Sequence, residues 1–541
     1  MRLRSYLAAV AVGLVIVGAA RAYFGPVHTG VPVGRCLRGD IDLDDPKPFV
    51  KTDLPATIVA IAASGGGSRA AYLSAAVLRE IRRAGPDLLL GPADGKARSL
   101  LDQVAAISSV SGGSLAAAYF TLNSEKLKAA DAGARDWTTY LDDMAIEYRK
   151  RQWYGAAGLN PLAWARSLTT DYNRGVLARD DYDATLFSGA TLTQLPASPA
   201  LYINAFDVAN HVRFVLSRSY IDTTFFQPTG WWGKLAAPQT LASENDLAFN
   251  RIDPSSVRLA DAVYASSAFP MAYPNLPLKH CGSKILFQGS QIFLADGALA
   301  DNSGLVTLLT ELRADLDPDA KRSTVTIIAI DASVDRIDAN GTKFQQTGIE
   351  DRYAWEGTVF HHAAESIFGA VALLQDLGWK FIESSDTVTD QLSLNWSQEL
   401  THRTGACEPS SKTSWKNSFE SGALAMRPLI IRLGLRDVVN PDFASTYSDR
   451  LQNRPELTAL LAENGIDDGT SSLSRHLSKR LQNIPTDFML TAADRKLLDL
   501  TAFLLVHGKL AGDVAQWNTV RDIAIKTPMP TTTCNTSPRS H

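Results

Sequence analysis

Cysteine is scarce in this sequence: Cys36, Cys281, Cys407 and Cys534 are the only four in 541 residues, and no two stand in CxxC spacing. That argues against a zinc ribbon and a thioredoxin-type redox motif. An excess of basic charge is also missing, with 53 Lys and Arg against 57 Asp and Glu and a net charge of −4. Such a chain lacks the positive field that holds a nucleic acid. There is no HExxH, no EF-hand loop and no Cys/His cluster at ligand spacing, so neither a metal nor another cofactor is expected. Mean hydropathy is −0.06, and a single long apolar run excludes a polytopic membrane protein. Internal repeats and low-complexity tracts are absent too. What is present is 45% hydrophobic and 20% charged residues, with 37 Gly and 25 Pro. This is the balance of a globular protein with a sizeable core. At roughly 150 residues per domain the length suits two to four domains, or one large α/β domain with additions.

The one apolar run lies at the start. Arg2 and Arg4 precede an uncharged stretch from Ser5 to Ala20, followed by Ala20-Arg21-Ala22, a small-x-small pattern. Residues 1–22 therefore read as a secretory signal peptide cleaved after Ala22, or as an uncleaved membrane anchor. Either way the body is expected to be exported, periplasmic or secreted if cleaved and membrane-anchored if not. Without residues 1–22 the chain has 50 basic and 57 acidic residues, a net charge of −7. In an oxidising compartment four cysteines permit three pairings, and four buried thiols are the alternative.

Residues 23–52 are rich in Gly, Pro and Asp and read as a linker. Thr57 to Ala63 is an apolar run without alternation, the pattern of a strand buried on both faces. Gly65-Gly66-Gly67 breaks it, and helical spacing begins at Ser68. A second unit repeats the logic: strand Val104 to Val110, a turn at Ser111-Gly112-Gly113, and a helix from Ser114 to Leu122. Residues 124–200 read as a helical insertion, and Leu201 to Val208 with His211 to Arg218 as a hairpin. Arg258 to Phe269 reads as a helix, Ile292 to Ala295 and Val325 to Ile330 as strands, and Glu356 to Leu377 as a further helix. Strands alternating with helices predict a three-layer α/β/α architecture around a mostly parallel sheet. The expected division is a catalytic domain at 53–335 and a helical C-terminal region, 336–541, packing on it.

Three short motifs carry chemistry. Ser64-Gly65-Gly66-Gly67-Ser68-Arg69 lies between a strand and a helix, where glycines let backbone N–H groups approach a ligand. It also fits a dinucleotide fingerprint at Gly65, Gly67 and Ala70. Ser109-Val110-Ser111-Gly112-Gly113 places a serine at the tip of a strand-to-helix turn, with small neighbours at Ser109 and Gly113 that keep the turn free of clashes. Asp296-Gly297-Ala298 follows an apolar run and places an aspartate at the carboxyl end of what reads as a parallel strand. Each alone is an ordinary turn; together they supply oxyanion donors, a nucleophile and a base for acyl transfer.

In this order the three motifs resemble those of the patatin-like phospholipase family: a glycine-rich DGGGxR, a GxSxG serine and a DG(G/A) aspartate. Asp261-Ala262-Val263-Tyr264-Ala265-Ser266-Ser267-Ala268-Phe269-Pro270 is similar to the family's A-x-x-A-S-x-A-x-P helix, and Ala300-Asp301-Asn302 also fits. The resemblance covers about 57–335. It departs at Ser64, where the family has Asp, at Ala70, where it has Gly, and at Ser109, where it has the first Gly of the serine motif. The resemblance implies a patatin-like fold and a Ser-Asp dyad, Ser111 and Asp296, with the N–H groups of Gly65, Gly66 and Gly67 as oxyanion hole. Arg69, Gly113 and Gly297 would support the motifs, and the substrate would be a lipid or related ester.

Three other readings use the same residues. An α/β-hydrolase with a Ser-His-Asp triad would need a histidine after Asp296, from His361, His362, His402, His476 or His507, and more strands before its glycine loop. A Rossmann-type nucleotide binder explains the glycines but leaves Ser111 and Asp296 idle. A silent envelope scaffold would need neither. Finally, Trp153, Tyr154, Trp164, Phe225, Phe226, Trp231 and Trp232 lie in stretches without strand alternation. They either pack the core or form a membrane-contacting rim around the Ser111 site.

Overall fold

The computed structural model describes residues 13–14, 17, 32–36, 57–90, 99–148, 151, 161–170, 172–208, 212–218, 221–223, 252–270, 273–279, 291–308, 324–333, 336–337, 343–344, 429–452, 454–466, 473–481, 483–484 and 490–526. The predicted helix Glu356 to Leu377 and all but three residues of the leader lie outside these. So do Cys281, Cys407 and Cys534, whereas Cys36 is disulfide-bonded. No helix among the described residues is long and apolar enough to cross a membrane.

Among the described residues, nine strands make up one sheet, which forms the middle layer. Its strands are β1 (Thr57–Ala63), β2 (Val104–Val110), β3 (Ala200–Asp207), β4 (Val212–Ser217), β5 (Ile221–Thr223), β6 (Leu276–Lys279), β7 (Gln291–Asp296), β8 (Thr324–Asp331) and β9 (Leu429–Gly434). Across the sheet the order is β9-β8-β1-β2-β3-β4-β5. The five strands from β9 to β3 run parallel, and β4 and β5 continue antiparallel. As the unalternating run at Thr57 to Ala63 predicts, β1 is covered on both faces. Ile58, Ala60 and Ala62 pack with Leu305 and Leu308 on one side, and Val59 and Ile61 join the main helical core on the other.

Helix α1 (Gly67–Ala84) follows β1 and α2 (Gly112–Leu122) follows β2. Sequence spacing placed these starts at Ser68 and Ser114; the glycines before them are already helical. α1 is rich in Ala, Leu and Arg, good helix formers. Arg82 and Arg83 in its last turn suit the dipole, and Gly85, at φ 60°, ends it. Helices occupy much of 124–187, including Ser124–Ala129, Arg135–Met144, Pro161–Thr169 and Arg174–Tyr182. Helix α3 (Leu259–Ser267) precedes β6, and the short α4 (Ala298–Asp301) follows β7.

Two features depart from the sequence reading. Asp296 does not end a parallel strand: β7 forms an antiparallel hairpin with β6, which reverses its direction, and it then pairs antiparallel with β3. The C-terminal region also contributes more than helices, because Leu429–Gly434 adds β9 beside β8. Within the expected linker, Val33 exchanges backbone hydrogen bonds with the β6 strand, through Pro277 and Lys279, both at 2.9 Å.

Candidate active site

The register of β3 explains why Ser111 and Asp296 meet. β2 runs up one edge of β3 and ends with Val110 opposite Asn204. β7 runs down the same edge and ends with Asp296 opposite Ala205. The two strand tips therefore arrive head to head at consecutive positions of β3. The residue after one tip and the last residue of the other are brought together from 185 positions apart in sequence. The Ser111 hydroxyl donates to Asp296 Oδ2 at 2.7 Å, and Asp296 Oδ1 accepts the Ala298 N–H at 2.8 Å.

Ser111 has φ 49° and ψ −122°, a conformation costing a non-glycine residue about 1–3 kcal/mol and kept only where surroundings impose it. Those surroundings are backbone in close approach. A Cβ on Gly113 would stand 2.5 Å from the Ser64 carbonyl oxygen, and one on Gly112 would strike the Gly67 carbonyl oxygen. A Cβ on Gly297 would strike the Asn204 carbonyl, so the turn after Asp296 is equally closed to side chains. The elbow and the glycine loop thus pack backbone on backbone.

In the glycine loop, Gly66 sits at φ 137°, which only glycine adopts readily, and Gly67 opens α1. Of the three N–H groups expected to face an oxyanion, that of Gly65 is already committed: it donates to the Asn302 carbonyl at 2.9 Å. The cause is the seating of Asn302 against Gly65, where a Cβ would meet Asn302 Oδ1 and stand 3.3 Å from Ser111 Cβ. The amides of Gly66 and Gly67 stand at the start of α1, where a helix leaves N–H groups without intrahelical acceptors. Arg69 points away into the protein, donating through Nη1 to the Ile484 carbonyl at 3.3 Å. Burial lowers its pKa to about 10, against the pull of Asp331, so it stays charged and anchors the loop.

Electrostatically the Ser111–Asp296 pair is closed in, with Ser111 7% and Asp296 2% exposed. Burial pushes the Asp296 carboxyl up from 3.8 to about 7, opposed by the hydrogen bonds from Ala298 and Ser111. A carboxylate so placed is a far better base for a hydroxyl than one in water. Among the described residues the histidines are His476 and His507. His476 is exposed, and His507 lies between Glu80 Oε2 at 3.3 Å and Arg454 Nη1 at 3.2 Å, thirteen residues along α1 from the glycine loop. His361, His362 and His402 lie outside the described residues, as do Trp153, Tyr154, Phe225, Phe226, Trp231 and Trp232. No metal-binding group of His, Cys, Asp or Glu occurs among the described residues.

Residues 61–309 match the family described as patatin-like phospholipase. This stretch belongs to that family. Its fold is the three-layer α/β/α arrangement around a mostly parallel sheet described above. A search of curated proteins gives no match. Among solved structures, human GIVD cytosolic phospholipase A2 is similar at 12% identity and TM-score 0.42, covering 94% of this chain and 63% of that one. Its complex with methyl gamma-linolenyl fluorophosphonate gives 12% identity and TM-score 0.39, covering 95% and 62%. VipD from Legionella pneumophila gives 11% identity and TM-score 0.24, covering 88% of each chain. The chain thus spans somewhat under two thirds of the human enzyme's length.

The structure gives the patatin-like domain's departures a physical content. Ser64, in place of the family's aspartate, accepts the Ala332 N–H at 2.9 Å and ties the glycine loop to the end of β8. Ala70 sits in α1 with its Cβ 3.3 Å from where a Cβ on Gly66 would lie. Two site residues escaped the sequence reading. Asn204, fully buried, donates to Ser108 Oγ at 2.8 Å and to the Ser109 carbonyl at 2.9 Å, and accepts from Thr307. Its signal was an amide in the apolar strand Leu201 to Val208. Ser266 accepts the Ser111 N–H at 2.8 Å, and its signal was the quoted helix motif, read there only as likeness.

Proposed function

We propose that this chain is an exported hydrolase of carboxylic esters in phospholipids or related lipids, working through a Ser111–Asp296 dyad and an acyl-enzyme. The observation that carries the reading is the 2.7 Å hydrogen bond from Ser111 Oγ to a buried carboxylate at a strained strand-to-helix turn. Ser111 Oγ attacks the ester carbonyl carbon as its proton passes to Asp296 Oδ2. The carbonyl oxygen takes the electron pair and is met by the N–H groups of Gly66 and Gly67, aided by the α1 dipole. Collapse breaks the ester C–O bond, and Asp296 returns its proton to the leaving alkoxide. Water then attacks the acyl-Ser111 with Asp296 as base, releasing the fatty acid and restoring the serine.

The Ser-His-Asp alternative has no comparable support, because Asp296 takes the Ser111 hydroxyl directly. Export rests on the charged and apolar pattern of residues 1–22 and agrees with a disulfide at Cys36. Contact with a membrane surface follows from the substrate class; with net charge −7 after residues 1–22, apolar insertion rather than attraction to anionic lipid would drive it. The test is the protein from residue 23 assayed on a panel of phospholipids and simple esters beside Ser111→Ala. The variant is expected to lose on the order of 10³-fold or more in rate. Near-normal hydrolysis by Ser111→Ala would refute the reading.

A further inference from the structure

Ser266 lies on α3, in the one quoted motif that the dyad chemistry leaves without a role. Its hydroxyl accepts the backbone N–H of Ser111 at 2.8 Å, and its carbonyl accepts the backbone N–H of Gly297 at 3.2 Å. Two residues on, the Ala268 carbonyl accepts the Asp296 N–H at 3.0 Å. One turn of helix therefore grips the nucleophile's own amide and the two amides that bracket the base. At φ 49° Ser111 has left the β2 ladder, and its buried N–H needs an acceptor that a strand or helix would otherwise supply.

Behind Ser266 stands a line of hydroxyls, all buried. Ser266 Oγ is 2.9 Å from Ser114 Oγ, Ser114 donates to Ser109 Oγ at 3.1 Å, and Ser109 donates to the Tyr202 carbonyl at 3.4 Å. The far end fixes the direction. A carbonyl only accepts, so Ser109 donates to it and accepts from Ser114, which in turn accepts from Ser266. Ser266 is left with a lone pair facing the Ser111 N–H. Ser109 is where the family has glycine; a glycine there would end the line at Ser114.

We propose that Ser266 is a positioning residue for the dyad. It holds the Ser111 backbone in its strained turn at a fixed distance from Asp296, and Ser114 and Ser109 orient its hydroxyl. The proposal rests on the reading of Ser111 and Asp296 as the dyad, and the test separates the two. Parent, Ser266→Ala, Ser266→Thr and Ser109→Gly are compared by kcat and KM on one ester, by the rate and half-saturation of covalent labelling with a long-chain alkyl fluorophosphonate, and by Tm. Ser266→Ala is expected to lose about 10- to 100-fold in kcat and labelling rate, since small misplacements of a nucleophile cost that much, with KM, half-saturation and Tm little changed. Ser266→Thr, which keeps the hydroxyl, should recover most of the loss, and Ser109→Gly should show a drop of a few-fold. Should Ser266→Ala fail to fold, Ser109→Gly decides, because it leaves both Ser266 contacts to the dyad loops in place. Parent labelled on Ser111 with Ser266→Ala or Ser109→Gly labelling at the parent rate would overturn the positioning role alone. A parent that is never labelled on Ser111 would overturn the dyad reading and the proposal with it.

Discussion

Replacing Asp296 by Asn should make the protein more stable at pH 8 while abolishing its activity. Burial raises the folded-state pKa of Asp296 from 3.8 to about 7. The folded protein therefore holds that proton more tightly than the unfolded chain does. Below about pH 4 the group is protonated in both states and costs nothing. As pH rises toward 7 the unfolded chain ionises freely while the folded one resists, and stability falls until both are ionised. At 1.36 kcal/mol per pKa unit the full cost is roughly 4 kcal/mol, of which roughly 3 accrues between pH 5 and pH 8. Asn has nearly the same shape and keeps both contacts: its carbonyl accepts the Ala298 N–H, and its amide donates to Ser111 Oγ. It never ionises, so it escapes the cost. Urea unfolding of parent and Asp296→Asn at both pH values measures the difference directly. The variant's advantage should grow by roughly 3 kcal/mol from pH 5 to pH 8. An advantage independent of pH would show that Asp296 is not a strained buried carboxylate, and the argument for its basicity would fall with it.

Further outcomes follow from the same geometry. The rate kcat/KM should rise through about pH 7 to a plateau, since protonated Asp296 cannot accept the serine proton; a flat profile from pH 5.5 to 8.5 would exclude it as base. Gly66→Ala forces a side chain onto a residue at φ 137° beside the proposed oxyanion, so turnover should fall on the order of 10²- to 10³-fold, with Ser111 labelling slowed in parallel. Glu80, fully buried between Arg79, Arg83 and His507, is a structural charge. Glu80→Ala should destabilise the fold by about 3–5 kcal/mol in denaturant unfolding, by leaving that cluster without its anion.

The parts of this site written in local pattern were legible in the sequence. An unalternating apolar run of strand length followed by glycines reads as a buried strand entering a tight turn, and Thr57–Ala63 with Gly65 to Gly67 is that. The same holds for Val104–Val110 and Ser111. Strand direction at Asp296 was not legible, because a four-residue apolar run carries no information about its partner. It is set by the antiparallel pairing of β7 with β3, where Asp296 lies opposite Ala205, 91 positions earlier. β9 escaped for a similar reason: Leu429–Gly434 is short and becomes a strand only because β8 offers it a free edge. The commitment of the Gly65 amide was invisible because it depends on Asn302, 237 residues later, closing onto the loop. Ser266 and Asn204 show the general limit: a buried polar residue is visible as an oddity of type, while its purpose lies in the partners the fold brings to it.

Those partners reach into the C-terminal region, which physically completes the site. The glycine loop is held at its base by β8: the Ser64 N–H donates to the Ile330 carbonyl at 3.0 Å, and Ser64 Oγ accepts from Ala332 at 2.9 Å. β8 is in turn flanked by β9, and Arg432 of β9 reaches Asp331 at the end of β8 at 2.8 Å, with the carboxylate fully buried. Along α1, which begins at the loop, Arg69 binds the Ile484 carbonyl, Tyr72 and Arg79 bind Asp499, and Glu80 binds His507. Each of these contacts spans more than four hundred residues of sequence and leaves a buried polar or charged group stranded if the C-terminal region is removed. A stranded group of this kind costs more than a lost surface contact, and here the cost falls on the helix whose first amides would face the proposed oxyanion. The matched domain stops at residue 309, but the frame that holds its glycine loop in place extends past residue 500.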